Sequence, residues 1–304
     1  MPDKIYDIII IGGGPSGMSA ALYALRGGKS VLILEKENFG GQIANSPRVE
    51  NIPSIKEISG VEYAGNLFDQ ISDLGVEFEL EEVNKITKDK DIFTIETNYE
   101  THYAKAVILA TGVKHRHIGI DREEELSGKG ISYCAVCDGA FYKGKDVVVI
   151  GDANTALQYA ILLSNYCNKV TICTLFDKFF ADNILVERIK TKDNVTYFHN
   201  LSLKAFLGKE ELNGLIFSNT KTNEEVTFSC QGAFIAIGQI PDNDKYSNLV
   251  DLNKGFIKVN QNMETKTPGL FASGDCTDKA VRQVVTACND GAIAATMALR
   301  YLDN

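Results

Sequence analysis

Asp7-Ile8-Ile9-Ile10-Ile11-Gly12-Gly13-Gly14-Pro15-Ser16-Gly17 is the stretch that decides the fold. An unbroken β-branched run of this kind predicts a strand buried on both faces of a parallel sheet. It runs straight into a G-x-G-x-x-G turn at Gly12, Gly14 and Gly17, and the segment from Met18 to Arg26 reads as the helix behind it. In that setting the glycines permit a tight turn, close approach of the backbone to a pyrophosphate, and close helix–strand packing. The pyrophosphate then sits on the helix N-terminus. The next strand, Ser30 to Leu34, ends at Glu35, a carboxylate placed for ribose hydroxyls. The glycine pattern alone is weak; strand, turn, helix, strand and acid in order make a dinucleotide-binding unit.

Working outward, the pattern recurs. Lys145 to Ile150 is a second buried strand, entering Gly151-Asp152-Ala153-Asn154-Thr155-Ala156. A helix from Leu157 to Ser164 and a strand from Lys169 to Cys173 complete the unit. Between the two lie a helix over 61–74, strands over 76–86 and 92–97 with a polar turn between them, and a buried strand from Ala106 into Ala110-Thr111-Gly112. After Ala233-Phe-Ile-Ala-Ile-Gly238, the chain returns at Pro241 to a strand ending in Gly274-Asp275 and a last helix over 286–301. The fold expected is α/β, two Rossmann-like domains with the second inserted into the first: 1–113 with 242–304, and 114–241 as the insert. Asp275 suits hydroxyls of a cofactor chain, or else serves as a helix N-cap.

The insert opens on Ser132-Tyr-Cys134-Ala-Val-Cys137-Asp138-Gly139. A C-x-x-C pair forms and breaks a disulfide readily and lowers the pKa of one thiol. A zinc site would need a second Cys/His pair at ligand spacing, and iron–sulfur clusters need four-thiolate runs. The sequence offers neither, so redox chemistry without a metal is expected. The other cysteines, Cys167, Cys173, Cys230, Cys276 and Cys288, read as small buried hydrophobes. Seven cysteines without a framework fit a reducing, cytoplasmic setting. The net charge of −9 argues against nucleic acid. The first apolar run is short and ends in glycines, so neither a signal peptide nor a membrane span is expected.

Taken together, these motifs resemble the low-molecular-weight thioredoxin reductases, FAD enzymes with two dinucleotide-binding domains. The resemblance spans nearly the whole chain and keeps its order. It implies FAD in the discontinuous 1–113 and 242–304 domain, with Gly12, Gly14, Gly17 and Glu35 on the ADP half. Gln42, Asn51, Asp275, Arg282 and Gln283 would hold the remainder, towards the isoalloxazine. Pro15, Ser16, Lys36, Gly41, Val83, Thr111, Gly112 and Val284 are assigned to the cofactor as well. Cys137 would face the flavin, Cys134 would attack thioredoxin, and Asp138 would handle the thiol proton. A homodimer is implied too.

The second dinucleotide site departs from the family's pattern of roughly G-G-G-x-[ST]-A. Asp152 puts a carboxylate, and Ala153 a Cβ, where a pyrophosphate must approach. Like charges a few ångströms apart cost about 1–4 kcal/mol. Leu175, Phe176 and Phe180 stand where NADPH-dependent relatives place arginines for the 2′-phosphate. Arginine suits that role because its planar fork binds phosphate bidentately. Lys178 supplies one charge and no clamp. The insert thus reads as an NAD(P)-binding-like domain with a degenerate nucleotide site, most like the ferredoxin-dependent flavin thioredoxin reductases. Ferredoxin as donor and thioredoxin as acceptor are the expected partners, with Lys114-His115-Arg116-His117 a candidate docking stretch. An NADH- or NADPH-dependent reductase with an atypical site is the alternative. A non-catalytic redox-sensing flavoprotein is a further one, disfavoured by an acid beside the dithiol.

Overall fold

The computed structural model describes residues 4–45, 49 and 52–304, apart from the side chains of Asn45 and Cys137. The chain divides into two compact units, Met1–Lys114 with Ile240–Asn304, and His115–Gln239.

In the first unit, strand Tyr6–Ile11 pairs in parallel with Val31–Glu35 on one side and Thr101–Leu109 on the other. Alternate side chains of the isoleucine run enter different cores. Ile9 and Ile11 join Leu32, Leu34, Val107 and Leu109. Ile8 and Ile10 join Val31, Ile33, Ala106 and Ile108. Both faces are therefore dry, which is why the run shows no polar alternation; each buried isoleucine contributes on the order of 2 kcal/mol. Helices Pro15–Arg26 and Val284–Leu302 cover one face through small residues, Ala20, Ala21 and Ala24 against Ala294, Ala295 and Ala298. The first helix starts at Pro15, three residues before the expected Met18, because proline at the first helical position lacks only an N–H that would be unpaired anyway.

The strand expected over 76–86 is two strands. Glu77–Leu80 pairs in parallel with Val31–Glu35 at one end of the sheet. Val83–Asp89 pairs antiparallel with Ile92–Thr97 at the other end. The break falls at Glu81, which is buried and accepts hydrogen bonds from Thr97 Oγ1 at 2.7 Å and His102 Nε2 at 2.9 Å.

In the second unit, five parallel strands run in the order Val195–Phe198, Lys169–Cys173, Asp146–Ile150, Gly232–Ile235, Ile131–Ser132. Val147 and Val149 pack with helix Asn154–Leu163. Val148 and Ile150 pack with a three-stranded antiparallel sheet, Leu201–Leu207, Gly214–Asn219 and Glu225–Ser229. The echo in the sequence is an echo in geometry. Gly12 has φ +113°, and a Cβ there would lie 2.2 Å from the Ala110 carbonyl oxygen; Gly151 has φ +149° and would meet Ala236 O at 2.3 Å. Among the described residues no helix is long and apolar enough to cross a membrane.

Candidate active site

The first unit gathers most of the residues assigned to a cofactor. A Cβ on Gly17 would lie 1.9 Å from Gly12 O, so helix and turn pack too closely for any side chain. Gly14 differs: its Cβ would meet only the Cα of Gly41, at 3.9 Å. Packing does not require glycine there, and the space beside it is open. Gly41 closes against the same point, and Gly40 N–H donates to Gly13 O at 2.9 Å. Glu35 accepts the N–H of Gly13 at 2.7 Å and of Glu37 at 2.9 Å, fixing the turn with one lone pair of each oxygen. Gln42 Nε2 donates to the Val113 carbonyl. Lys36 is held below the usual lysine range by burial and by Lys114 beside it. Val83 is buried. Asn51 lies outside the described residues.

Asp275 is not a helix cap. It sits in a 3-10 turn, Gly274–Cys276, while Gln283 caps the last helix and donates its N–H to Thr286 Oγ1 at 3.1 Å. Ser16 Oγ donates to Ser273 Oγ at 2.8 Å, tying this turn to the glycine turn. Asp275 Oδ1 is buried and takes no hydrogen bond, although Lys279 Nζ lies 3.3 Å away. Burial pushes this carboxyl up, against the pull of Lys279 and Arg282. Arg282 donates to the carbonyls of Asp275 and Thr277 at 3.2 and 3.1 Å and stacks over Phe256 at 4.1 Å. Thr111 Oγ1 donates to Asn243 Oδ1 at 2.9 Å. At Gly112, φ +64°, a Cβ would meet nothing within 4 Å. Val284 begins the last helix.

The second unit presents the dithiol segment. Cys134 is disulfide-bonded; Cys137 has its backbone in the short helix Ala135–Asp138, and its side chain lies outside the described residues. Ser132 Oγ accepts the Cys134 N–H at 3.0 Å and donates to the Cys134 carbonyl at 3.2 Å. Asp138 N–H donates to Cys134 O at 3.0 Å, closing the turn that carries the pair. Just before it, Tyr133 Oη donates to the buried Glu123 at 2.8 Å and lies 2.9 Å from His117 Nδ1. His115 stacks on the same ring at 5.7 Å, and burial lowers its pKa. Both histidines of the basic stretch thus have local partners, although His117, like Lys114 and Arg116, remains exposed. Cys167, Cys173, Cys230 and Cys276 are free and buried as expected; Cys288 is free and half-buried, 3.3 Å from Tyr63 Oη. Burial pushes the Cys167 thiol up to about 11 and Cys230 to about 12, which leaves them poor nucleophiles.

At the second glycine turn, Asp152 is half-buried, and burial raises its pKa. Its carbonyl accepts the Phe180 N–H at 2.7 Å. Asn154 and Asp182 clip together twice, Asn154 Nδ2 to Asp182 Oδ2 at 3.0 Å and Asp182 N–H to Asn154 Oδ1 at 2.8 Å. Leu175, Phe176 and Phe180 are each about half exposed, at 49, 50 and 54%. Phe176 and Phe180 meet edge to face at 5.3 Å, with Lys178 Nζ 5.3 Å from the Phe180 ring centre.

The family described as pyridine nucleotide-disulphide oxidoreductase matches residues 6–291. This chain belongs to that family. A thioredoxin reductase of Bacillus subtilis is 39% identical over 306 residues, covering 99% of this chain and 96% of that protein. Among solved structures, Lactococcus lactis thioredoxin reductase aligns with a TM-score of 0.82 at 35% identity, covering 98% of this chain and 99% of that one. A ferredoxin-flavin thioredoxin reductase from Clostridium acetobutylicum aligns at 0.55 and 28% identity, covering 99% and 98%. These matches support thioredoxin reductase as the function and bear out the resemblance read from the motifs.

FAD is the cofactor of this disulphide oxidoreductase. The first unit fits it on two observations. The open side of Gly14, at the N-terminus of the Pro15–Arg26 helix, admits a pyrophosphate. The orphaned Asp275 Oδ1 is an acceptor waiting for a hydroxyl donor. Sequence reading overlooked Asn243, fully buried, whose Nδ2 donates to Gly255 O at 2.9 Å and Cys276 O at 3.2 Å while Thr111 donates to its oxygen. It ties together two turns that were each recognised alone. Lys279 and Asp290 were also overlooked, since nothing in the linear sequence pairs them.

Proposed function

We propose that this flavoprotein reduces thioredoxin through Cys134 and Cys137, and that its FAD receives electrons from reduced ferredoxin rather than from a pyridine nucleotide. The observation that carries the choice of donor is the second glycine turn and its rim. A half-buried carboxylate, Asp152, stands at the pyrophosphate position, and Leu175, Phe176 and Phe180 present carbon where a phosphate clamp requires guanidinium.

FAD, when bound, accepts electrons singly and delivers two to a disulfide. The residues of the chain do the rest. Reduction of the Cys134–Cys137 bond takes up two electrons and one proton, leaving a Cys134 thiolate and a Cys137 thiol. The Cys134 thiolate attacks one sulfur of oxidised thioredoxin, forming a mixed disulfide and expelling the other as a thiolate. The Cys137 thiolate then attacks Cys134 sulfur, remaking the internal bond and releasing the second thioredoxin thiolate. Asp138 relays the proton that Cys137 loses, and the two thioredoxin thiolates take up two protons. A donor near about −400 mV against thioredoxin near about −270 mV supplies roughly 6 kcal/mol for two electrons. In this reading FAD belongs to the first unit, the dithiol to the second, and the enzyme works as a cytoplasmic homodimer.

One anaerobic experiment tests the donor. Oxidised enzyme is mixed separately with reduced ferredoxin, NADPH and NADH, and flavin absorbance is followed. Bleaching by ferredoxin alone is expected; fast bleaching by either nucleotide rejects the donor assigned here. The family's own description names a pyridine nucleotide, which favours that second reading and makes both nucleotides necessary arms. Cys134→Ser should leave flavin reduction intact and abolish thioredoxin turnover, and sustained turnover would remove Cys134 from its role.

A further inference from the structure

Lys279 stands between two acids in the first unit. Its Nζ donates to Asp290 Oδ2 at 2.8 Å, lies 3.4 Å from Thr286 Oγ1, and is 3.3 Å from the orphaned Asp275 Oδ1. The lysine side chain is 17% exposed and that of Asp290 9%. Asp290 is followed by Gly291, where a Cβ would lie 2.1 Å from Ser16 O. The trio therefore sits where the last helix meets the glycine turn. The contact to Asp275, at 3.3 Å, falls short of a well-aligned hydrogen bond, so Asp275 Oδ1 keeps acceptor capacity while a cation stays beside it.

We propose that Lys279, itself held by Asp290, is a positioning residue that keeps the Asp275 carboxylate ionised and aimed to accept a hydrogen bond from a hydroxyl of FAD. This rests on Asp275 being an FAD ligand. The physical logic is that of a half-buried carboxylate beside a cation whose hydrogen bond is made to a second acid. Desolvation favours the neutral acid, which cannot accept at the protonated oxygen. A lysine fully given over to Asp275 would consume the lone pair that the cofactor needs. Sharing the lysine with Asp290 leaves the charge and spares the acceptor. The other groups that bear on this trio are Arg282, whose charge also favours ionised Asp275, and the half-buried Cys288, whose thiol burial pushes up against the opposing pull of Tyr63 and Lys279.

The test is FAD titration of the full-length chain stripped of flavin, read by flavin fluorescence across pH 5–8, with circular dichroism and thermal unfolding on every variant. Lys279→Met should raise the FAD Kd about tenfold at neutral pH, and its loss of affinity on acidification should begin at a higher pH than in the unaltered chain. Lys279→Arg should restore most of both. Asp290→Asn should also weaken FAD binding several-fold at neutral pH, because the released lysine turns onto the acceptor oxygen of Asp275, but it should move the profile the other way, with acid loss displaced to lower pH, because one competing negative charge is gone. That opposite displacement is not what a merely structural role would produce, and it can be read even if Lys279→Met does not fold. An unmoved profile in Asp290→Asn, and in Lys279→Met where it folds, beside a weakened Asp275→Asn, would overturn the assignment of Lys279. An Asp275→Asn chain that binds FAD as tightly as the unaltered one would instead remove the ligand reading itself, and the proposal with it.

Discussion

At the scale of single residues, the two kinds of glycine in the first turn make separable predictions. A methyl group on Gly17 collides with backbone at 1.9 Å, whereas one on Gly14 meets nothing nearer than 3.9 Å. Gly14→Ala should therefore fold at a cost of about 1 kcal/mol, the difference between glycine and alanine at a helix N-cap. It should lose a further 1–3 kcal/mol, roughly, of FAD affinity by crowding the pyrophosphate. Gly17→Ala should lose the fold as well as the flavin. Thermal unfolding of the flavin-free proteins, set beside FAD titration, distinguishes the two. The sequence motif marks both glycines alike, since a pattern of residue types cannot say whether the missing side chain would strike the protein or its ligand.

At the scale of elements, one side chain ties three neighbouring strands together. Asp7 Oδ2 accepts the Ser30 N–H and hydroxyl, both at 3.0 Å, and Oδ1 accepts Lys105 Nζ at 2.8 Å. Burial alone would raise this carboxyl, but the bonds from Lys105 and Ser30 outweigh it and the pKa is lowered. The folded chain thus holds the proton more weakly than the unfolded one. The stabilisation is present above the unfolded carboxylate value and disappears as pH falls through the folded value. Asp7→Asn should cost about 1 kcal/mol at pH 7, and the gap in Tm should close below about pH 3. A gap that stays constant with pH would mean the charge is idle. Strand, turn, helix and acid were legible here because burial on both faces leaves an unmistakable unbroken apolar run. The split at Glu81 was not legible: only pairing with Thr97 and His102, residues more than a dozen positions away, lets a glutamate end a strand in the interior. The Cys134 turn was legible for the opposite reason, since its meaning lies in spacing and not in distant partners.

At the scale of the whole molecule, each unit owns its cores. The apolar clusters built on Ile8–Ile11 contain residues of the first unit alone, and those built on Val147–Ile150 contain only residues within 115–239. A fragment of residues 115–239 should therefore fold by itself, with a cooperative thermal transition; a non-cooperative one would show that it depends on the rest of the chain. Under the donor proposed above, arginine at 175, 176 and 180, together with glycine at 152 and 153, should confer flavin reduction by NADPH on the full enzyme. No gain in an anaerobic mixing assay would place the obstacle elsewhere in the chain. The exposed rim of Leu175, Phe176 and Phe180, with Ile184 beyond it at 77% exposure, has a consequence for how the protein behaves in bulk. At neutral pH a net charge of −9 holds molecules apart. Near the isoelectric point of about 5.1 that repulsion vanishes, leaving uncovered aromatic rings free to find one another. Light scattering should rise sharply there and fall again when the three rim positions carry arginine, so colloidal stability becomes a measure of how much uncovered ring this rim presents.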